Sequence, residues 1–344
     1  MSRRTKNITY YSVLIILIIA IGLYFYRLPV YVEKPGAAES INPVVKVQDG
    51  HKINGDFMLV YVYVGQANIY QYLWTKYDRN KYTTLMKPQE VKLPDETNEE
   101  YNLRQENYME TAQDTAAYVA YKHAGKDPKL IKDGALIINV FSDMPAAKVL
   151  KPGDVIIEAN GNKISTIMDM QKVLEDKKPG DTVLLKVKRD GKIKNAKVKV
   201  TKYPKELSQG IKKYGIGVMQ TDKFHVKVKP DIKFDIKNIG GPSAGLMMTL
   251  AIYDQLTKED LAKGYKIAGT GTINLDDTVG PIGGIQEKIV GASKSGADIF
   301  FAPVADDEYK QAKEAAKDIG TRMKVVPVKT FDDALNYLHQ LKKK

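Results

Sequence analysis

The chain of 344 residues contains no cysteine and only four widely spaced histidines. The absence of cysteine excludes disulfide bonds, thiolate zinc sites and a cysteine nucleophile. None of the histidines lies in an HExxH pattern, so the sequence predicts no metal site. It also contains no GxxxxGK[ST] phosphate loop, and we therefore expect no ATP-driven unfolding and no cofactor.

The composition is that of a folded protein with a basic surface. Hydrophobic residues make up 43% of the chain, enough for two or three domains, and the formal net charge is +12. The lysines responsible are scattered, mainly over residues 163 to 229 and the last three positions. Such a spread is typical of a solvated surface, with attraction to anionic polymers or lipid headgroups as a secondary reading. No nucleic-acid-binding motif accompanies it, so nucleic acid is not a predicted partner.

Residues 8–26, ITYYSVLIILIIAIGLYFY, form an uncharged apolar segment at the N-terminus. Its 19 residues are close to the roughly 20 that a helix needs to cross a bilayer. The basic residues before it predict that residues 1–7 are a cytoplasmic tail and that the body lies outside the cell membrane. A cleavable signal peptide is the alternative, but its apolar region is usually about 7–15 residues long and ends in an A-x-A-like site. We therefore expect an uncleaved transmembrane helix.

The next 100 residues contain two strong elements that lack an evident local partner. Residues 27–53 are interrupted by proline and glycine with little periodicity and are predicted to be a linker. Residues 54–64 read as a strand buried on both faces. Residues 97–124 predict a long helix, because Thr97 and Glu100 form a capping box. These elements need a partner elsewhere in the chain to make a core.

Residues 133–202 alternate short strands with the turn signals KPGD, ANGN, KPGD and RDGK, and contain one short helix near 167–176. The segment resembles a bacterial PDZ domain, most specifically in SDMPAAKVLKPGDVIIEANG. PDZ domains bind an extended peptide as an added strand and hold its terminal carboxylate with backbone amides. The alternative is a domain that serves only as a spacer or lid. By the resemblance, the peptide-binding loop is KDGALI, which includes Asp133, Gly134, Ala135, Leu136 and Ile137.

Residues 210–341 alternate strands and helices, a pattern typical of an α/β or α+β domain. Helices are expected at 243–257, 285–295, 306–317 and 330–341, with strands between them.

Ser243 lies in GPSAG, after a strand and before an apolar run, which fits the G-x-S-x-G context of a hydrolase nucleophile elbow. That motif alone is weak evidence, because an elbow also needs a downstream histidine. His339 is the only histidine after Ser243, and it lies in a polar stretch near the lysine tail. A solvated surface histidine is the favoured interpretation of this residue.

A neutral lysine is the other base that serves a serine nucleophile. Burial disfavours the charged ammonium and lowers a lysine pKa by up to about 3–5 units. Lys288 has Ile285, Ile289 and Ala292 at helical neighbour positions, so it lies on or beside an apolar face. The alternative is an ordinary lysine whose amine reaches solvent from the helix edge. No S-x-x-K motif occurs, which excludes the penicillin-binding type of serine-lysine site.

The two segments GGPSAGLMMTLAIYDQLT and AGTGTINLDDTVGPIGGIQEKIVGASKSGADIFFAP resemble the proteolytic domain of Lon-type serine peptidases. The resemblance implies that Ser243 is the nucleophile, that Lys288, 45 residues later, is the general base, and that Thr270 supports the lysine. The Lon pattern often has an acidic residue two positions before the Pro-Ser pair, where this chain has Gly240.

The chain as a whole resembles membrane-anchored, PDZ-containing Lon-like serine proteases of Gram-positive bacteria. This implies an α+β fold in which a Lon-type proteolytic domain of mixed sheets and helices carries an inserted PDZ domain after one N-terminal transmembrane helix. The expected domains are the first part of the peptidase at 54–125, the PDZ domain at 126–205 and the second part of the peptidase at 206–344.

The expected activity is ATP-independent serine endopeptidase cleavage of peptides or of small membrane or secreted proteins at the extracellular face, with the PDZ domain presenting or gating the substrate. The oxyanion is expected at the backbone amides of Ser243 and Ala244, beside a nucleophile loop that contains Gly241, Pro242 and Gly245. Two alternatives remain open at this point. One is an esterase or lipase that uses Ser243 and His339, and the other is a non-catalytic PDZ scaffold.

Overall fold

The computed structural model of the chain describes residues 3–78, 80–203 and 214–344. Within these residues there are nine α-helices: α1 Arg3–Phe25, α2 Ile69–Tyr77, α3 Pro88–Val91, α4 Asn98–His123, α5 Ile167–Glu175, α6 Gly245–Leu256, α7 Ile285–Lys294, α8 Glu308–Asp318 and α9 Phe331–His339. Short 3-10 helices occur at Pro145–Lys148 and Ala305–Asp307. The strands of the same residues are β1 Arg27–Ser40, β2 Val45–Val47, β3 Asp56–Asn68, β4 Thr84–Met86, β5 Lys129–Val140, β6 Val155–Ala159, β7 Asn162–Lys163, β8 Thr182–Arg189, β9 Lys192–Lys199, β10 Thr201–Lys202, β11 Tyr214–Gly215, β12 Val218–Lys227, β13 Ile232–Phe234, β14 Lys266–Gly269, β15 Thr272–Ile273, β16 Val279–Gly280, β17 Ile299–Pro303 and β18 Lys324–Val328.

The predicted apolar segment forms helix α1, and its stretch Asn7–Phe25 is long and apolar enough to cross a membrane. Its side chains are exposed along the whole stretch except at Ala20, which is half-buried. A helix of this kind cannot keep its apolar surface in water, so α1 is suited to a lipid environment.

Residues 27–53 are not a linker, and this expectation is wrong. Strand β1 starts at Arg27, two residues after α1 ends, and pairs antiparallel with both β3 and β4. Farther along the segment, β2 pairs with β13. Pro29, Pro35 and Gly36, which suggested a linker, occur where β1 is irregular, since its register with β3 shifts between Arg27 and Tyr31 and between Pro35 and Ala38. The body of the protein is therefore joined to α1 without a flexible spacer.

A six-stranded mixed sheet forms the centre of the larger domain, in the order β18-β17-β14-β3-β1-β4. The strand predicted at 54–64 is β3, and it is parallel to β14 from the second half of the chain. Its two faces are covered by separate hydrophobic cores. This explains why neither the odd-numbered nor the even-numbered residues of the strand form a polar face. Helix α4 packs against α6 in one of these cores. Both elements thus obtain a partner from the second half of the chain, β14 for β3 and α6 for α4.

The mixed α+β fold is confirmed, and the inserted domain has a sheet of its own in the order β12-β5-β6-β8-β9. Helix α5 and a compact apolar core lie against this sheet. The assignment of all of residues 206–344 to the peptidase is wrong in one respect, because β12 is the edge strand of the PDZ sheet and pairs with β5 along its length. The expected boundary at 205/206 lies outside the described residues.

Candidate active site

Ser243 lies at the start of α6, where the chain turns from a loop into a buried helix. Helix α6 begins at Gly245, and almost every side chain from Gly245 to Gln255 is buried. That burial explains the apolar run after the serine, because a helix surrounded by protein has no polar face. A side chain at Gly245 would come within 2.9 Å of the backbone nitrogen of Ile273, so only glycine lets the helix start this close to β15.

The loop before Ser243 is held by helix α4. The backbone N–H of Gly241 donates to the carbonyl of Gln105, with 2.9 Å between nitrogen and oxygen. A Cβ atom at Gly240 would lie 2.7 Å from the Cβ of Gln105. The loop therefore has no room for the acidic side chain that the Lon pattern often carries at this position. Sequence reasoning did not identify Gln105, because nothing local distinguishes it from other polar residues of α4.

Lys288 lies on the buried face of α7, with Ile285, Ile289 and Ala292 beside it as predicted. It is only 3% exposed, so the alternative of an amine that reaches solvent is wrong. Its Nζ lies 2.9 Å from the Oγ of Ser243, although the two residues are 45 positions apart in the sequence. The structure therefore places these two predicted residues in direct hydrogen-bonding contact.

Thr270, directly after β14, completes a small network with the two residues. Its hydroxyl donates to the carbonyl oxygen of Ser243 at 3.1 Å and lies 3.0 Å from the Nζ of Lys288. Because the hydroxyl proton points to the carbonyl, the oxygen is left to accept a hydrogen from the amine. An amine that donates to Thr270 can direct its lone pair toward Ser243 when it is neutral. Thr270 is fully buried, which fixes this geometry.

The electrostatic environment favours the neutral amine. Burial lowers the pKa of Lys288 to about 8, and the carboxyl groups of Glu308 and Glu33 raise it in part. Burial also raises the pKa of both glutamates above the ordinary value. Glu308 accepts a hydrogen bond from the backbone N–H of Ile282 at 2.7 Å, which ties it to the loop before α7. Sequence reasoning missed Glu33, because it lies in the segment that was predicted to be a linker.

A groove runs past the serine, and we call it the Ser243 groove. It is lined by strand β3 from Leu59 to Val64, by the α4 residues Tyr101, Asn102, Gln105 and Met109, by residues 237–244, and by residues 281–283 with Lys288. Backbone groups line this groove together with apolar and polar side chains. This combination suits the binding of an extended peptide. Among the described residues no cluster of three or more histidine, aspartate or glutamate side chains is arranged to hold a metal ion.

His339 does not serve Ser243, so the esterase arrangement is contradicted. Its Nε2 lies 2.7 Å from a carboxylate oxygen of Glu259, and its side chain is 47% exposed. It is also absent from the lining of the Ser243 groove. The solvated surface histidine that the sequence favoured is the correct description.

The predicted PDZ peptide-binding loop is wrong. Residues 132–137 lie inside strand β5, which is paired with β12 on one side. On the other side Ala135 and Leu136 pair with β6. A strand paired on both sides has no free backbone groups for an added peptide. The sequence pattern of this stretch is that of a buried strand, and the sequence had no signal for β12 as its outer neighbour.

Two family models match the chain. Residues 209–340 match the Lon protease (S16) C-terminal proteolytic domain, and residues 124–200 match a PDZ domain. The chain carries a Lon proteolytic domain and a PDZ domain. The Lon domain contains Ser243, Thr270 and Lys288, so the hydrogen-bonded network lies within the part that matches a serine-lysine peptidase family.

Curated relatives share parts of the chain. It is 36% identical over 104 residues to a Lon protease of Metamycoplasma arthritidis, which covers 30% of this chain and 12% of the relative. It is 38% identical over 95 residues to a Lon protease of Trichlorobacter lovleyi, covering 28% of this chain and 11% of the relative. The match thus spans only about an eighth of these Lon proteins.

Solved structures share the PDZ domain. The PDZ domain of an SdrC-like protein from Listeria monocytogenes is 34% identical, with 26% of this chain and 87% of that chain covered and a TM-score of 0.23. The corresponding domain from Listeria innocua is 32% identical, with 27% and 99% covered and a TM-score of 0.24.

Proposed function

We propose that the protein is an ATP-independent serine peptidase in which Ser243 is the nucleophile and Lys288 is the general base. The observation that carries the proposal is the 2.9 Å contact between Ser243 Oγ and the Nζ of Lys288, whose burial lowers its pKa to about 8. A lysine with this pKa is partly neutral near physiological pH, and a neutral amine can accept the serine proton. Thr270 is a positioning residue that orients the amine.

The reaction proceeds by acyl transfer. Lys288 takes the proton of Ser243 while the serine oxygen attacks the scissile carbonyl, and the resulting ammonium then protonates the leaving amine. Water hydrolyses the acyl-enzyme by the same proton transfers. The amine returns to its neutral form at the end of each cycle, so the net reaction consumes one water and one peptide bond and regenerates the network.

The oxyanion is assigned to the backbone amides of Ser243 and Ala244. No hydrogen bond from either N–H is found within the described part of the chain. Both amides precede the first turn of α6, where unpaired N–H groups and the helix dipole favour negative charge. Pro242 has no N–H, and the N–H of Gly245 donates to the carbonyl of Pro242.

The substrates are peptides, exposed termini or poorly folded chains. The 344 residues contain no GxxxxGK[ST] motif, and unfolding of stable substrates by ATP hydrolysis is therefore not part of the proposal. The Ser243 groove includes the backbone of β3, which suits an extended segment. We propose limited proteolysis or processing of small secreted or membrane proteins.

The catalytic body lies on the extracellular side of the cell membrane, of a Gram-positive type, with α1 as a single-pass anchor. Three basic residues, Arg3, Arg4 and Lys6, precede the apolar stretch Asn7–Phe25 and favour a cytoplasmic N-terminus. Because β1 follows α1 almost directly, the anchor holds the Ser243 groove close to the bilayer.

The PDZ domain presents substrate through the first half of the β12 edge, because farther along the strand the backbone N–H of Val226 already donates to Asp114 of α4 at 2.8 Å. This strand ends the PDZ sheet, and α5 lies beside it, since the backbone N–H of Ile167 donates to the side chain of Asp222 at 2.6 Å. A peptide added antiparallel to β12 places its C-terminus beside residues 214–217, where Gly217 has a φ of +85°. A turn of this kind directs backbone amides toward an anion such as a terminal carboxylate.

Two substitutions test the peptidase activity. Ser243→Ala and Lys288→Ala should each abolish cleavage of an unstructured protein by the full chain in detergent, with and without Mg-ATP. A circular dichroism spectrum that matches that of the wild type shows that each variant is folded.

Mass spectrometry of the wild-type protein with an activated acyl substrate should find the acyl group on Ser243. Full activity in either variant refutes the dyad. Peptide binding without any cleavage by the wild type supports a scaffold instead.

The substrates are identified by comparing the proteins of the cell surface and of the medium between cells with wild-type enzyme and cells with the Ser243→Ala enzyme.

Hydrogen exchange tests the PDZ edge. With the Ser243→Ala protein, a peptide ending in a free carboxylate should slow amide exchange in β12 and leave residues 133–137 of β5 unchanged. The same peptide with an amidated C-terminus is the matched control and should bind more weakly. Protection confined to β5 contradicts this assignment.

A further inference from the structure

Helix α2 carries an apolar stripe that faces away from the protein. The side chains of Tyr70, Leu73, Trp74 and Tyr77 are 42%, 44%, 72% and 76% exposed. Their spacing of three, one and three residues puts them on one face of the helix. The opposite face, which includes Ile69, Tyr72 and Thr75, is half-buried where α2 packs on β1 and β3. None of the residues of α2 is fully buried.

The stripe is positioned by direct contacts with α1. The hydroxyl of Tyr70 donates to the carbonyl oxygen of Ala20 at 2.9 Å. The side-chain amide of Asn68, which also caps α2, donates to the carbonyl oxygen of Tyr24 at 3.1 Å. The Tyr24 carbonyl belongs to the last turn of α1, where the helix supplies no partner of its own. These two hydrogen bonds fix α2 beside the C-terminal end of α1.

The depth of α2 follows from the helix rise. Ala20 is five residues before the end of α1 at Phe25, which corresponds to about 8 Å along the axis at 1.5 Å per residue. Amphipathic helices that lie in a bilayer surface are buried by about 5–10 Å. When α1 spans the membrane, α2 is thus held at the level of the headgroups and the first acyl carbons. Tryptophan and tyrosine prefer this level, because their rings have an apolar body and a polar tip.

We propose that α2 is an interfacial helix that inserts Tyr70, Leu73, Trp74 and Tyr77 into the outer surface of the bilayer. The proposal rests on the membrane anchor of the proposed function. The occupant of the stripe is the lipid surface, because the stripe begins at Tyr70, which is hydrogen-bonded to the exposed apolar helix α1 at Ala20. Exposed Lys76 on α2 and Arg27 at the start of β1 add charges that favour anionic headgroups.

Two contacts with the membrane fix the height of the Ser243 groove. A single helix would let the body tilt, whereas α1 and α2 together define its orientation. Glu33, near Lys288, is six residues along β1 from Arg27, or about 20 Å at 3.3 Å per residue. The enzyme is therefore adapted to peptide bonds that lie a short, fixed distance above the bilayer.

Trp74 is the only tryptophan in the chain, so its fluorescence reports on this face directly. The full-length protein is reconstituted into vesicles of phosphatidylcholine and phosphatidylglycerol, and carbonate extraction measures anchoring by α1. Trp74 should be quenched by lipids brominated near the headgroup and protected from iodide in the water. The matched control combines Trp74→Phe with Ile193→Trp, which moves the indole to an exposed PDZ position, 66% exposed in the native chain. The control should show the reverse, with iodide quenching and no bromolipid quenching.

Three outcomes of the quenching and extraction experiments would contradict the proposal. Iodide quenching of Trp74 in a firmly anchored protein overturns the interfacial helix and leaves the anchor intact. Protection from iodide without bromolipid quenching means that protein covers the face, as a second copy or a substrate, and also overturns it. A protein released by carbonate contradicts the anchor and the helix together.

Activity supplies a second measurement. Leu73→Gln with Trp74→Gln should lower cleavage of a lipid-tethered peptide several-fold while cleavage of the same peptide free in solution is unchanged. Ile193→Gln, on the PDZ surface, is the matched control and should change neither rate. An equal loss on both peptides, or no loss on the tethered one, overturns the proposed role in substrate choice.

Discussion

Each of the two domains buries a side chain that can carry a charge, but only one of these two side chains is in an ion pair. In the PDZ domain, Asp154 is fully buried and receives two hydrogen bonds from the guanidinium of Arg189, at 2.5 and 2.6 Å, and one from the backbone of Lys151. In the Lon domain, Lys288 is 3% exposed, and in the described part of the chain its amine hydrogen-bonds only to the hydroxyls of Ser243 and Thr270. The described residues provide it with no ion pair.

Asp154 has the environment of a structural charge, whereas Lys288 has that of a reactive group. A buried carboxylate that is fully paired stabilises its surroundings only as long as its partner is present. A buried amine without an ion pair loses part of its proton affinity, and this is the property that a general base requires. The predictions below test the contrast in order of decreasing effect.

The largest effect is expected for Lys288→Met. Peptide cleavage should fall by roughly 10³-fold or more, because the variant lacks the amine that hydrogen-bonds to Ser243 and accepts its proton. The fold should survive, since methionine suits an apolar site. The folded-state pKa of about 8 is below the ordinary 10.5, so the charged form costs stability below pH 8 and this cost disappears as the pH rises toward 10.5. Denaturant titration at pH 7 should therefore find the variant at least as stable as the wild type, and a marked loss would argue that Lys288 is paired.

The counterpart in the PDZ domain is Asp154→Ala. It leaves the Arg189 guanidinium without its anion and should destabilise the PDZ domain by about 3 kcal/mol. Amide exchange in β6 and β8 of the full chain measures this loss. Cleavage of a short soluble peptide should stay within about twofold of wild type, because the dyad lies in the other domain. A large loss of peptide cleavage with intact exchange rates would contradict the separation of roles.

Thr270→Val should reduce cleavage by about tenfold, the equivalent of one lost hydrogen bond of about 1.4 kcal/mol. Valine keeps the shape but cannot accept from the amine, so Lys288 loses its orientation. Thr270→Ser restores the hydroxyl and is expected to recover most of the rate. Equal losses in both variants would mean that packing, and not the hydroxyl, is what matters.

The pH profile of kcat/KM should rise to a plateau with an apparent pKa of about 8 on the acidic side, the value for Lys288 in the free enzyme. The rate at pH 7 is then about one tenth of the plateau. A profile that is flat from pH 6 to 9 on a soluble peptide would be inconsistent with a lysine base.

The smallest effect is expected for Glu308→Gln. The carboxyl group of Glu308 raises the pKa of Lys288, so its removal should move the acidic side of the profile to lower pH and increase the rate at pH 7 a few-fold. Glutamine retains an oxygen that can accept from the backbone of Ile282. Glu314→Gln, on the exposed face of the same helix α8, is the control and should leave the profile unchanged.

Local patterns predicted most of the helices and the apolar neighbours of Lys288, and the resemblance to Lon-type peptidases supplied the roles of Ser243 and Lys288. The capping box of Thr97 and Glu100 and the apolar neighbours of Lys288 are present in the structure where the sequence placed them. These features depend on contacts within about one helical turn, which spacing in the sequence expresses directly. The order of Ser243 and Lys288 along the chain also resembles that of Lon-type peptidases.

The errors concern strands whose partners are distant in sequence. The irregular β1 was read as a linker, because its prolines hide a strand that pairs with β3 and β4. The loop at 132–137 was read as a peptide site, because nothing local announces that β12, more than 80 residues later, pairs with it. Pairing of this kind depends on which backbone groups remain free after folding, and period-two patterns do not specify the neighbour.

The sequence alone determined the apolar N-terminal segment, which follows from composition, and its resemblance to known families indicated the two domain types and the pair of residues that can form a serine-lysine site. Only the tertiary structure decided that Lys288 is buried 2.9 Å from Ser243, that Glu33 and Glu308 act on it without forming an ion pair in the described residues, and that α2 lies beside α1 with its aromatic face exposed. Burial and long-range proximity are properties of the packed chain, and the pKa of a side chain depends on both.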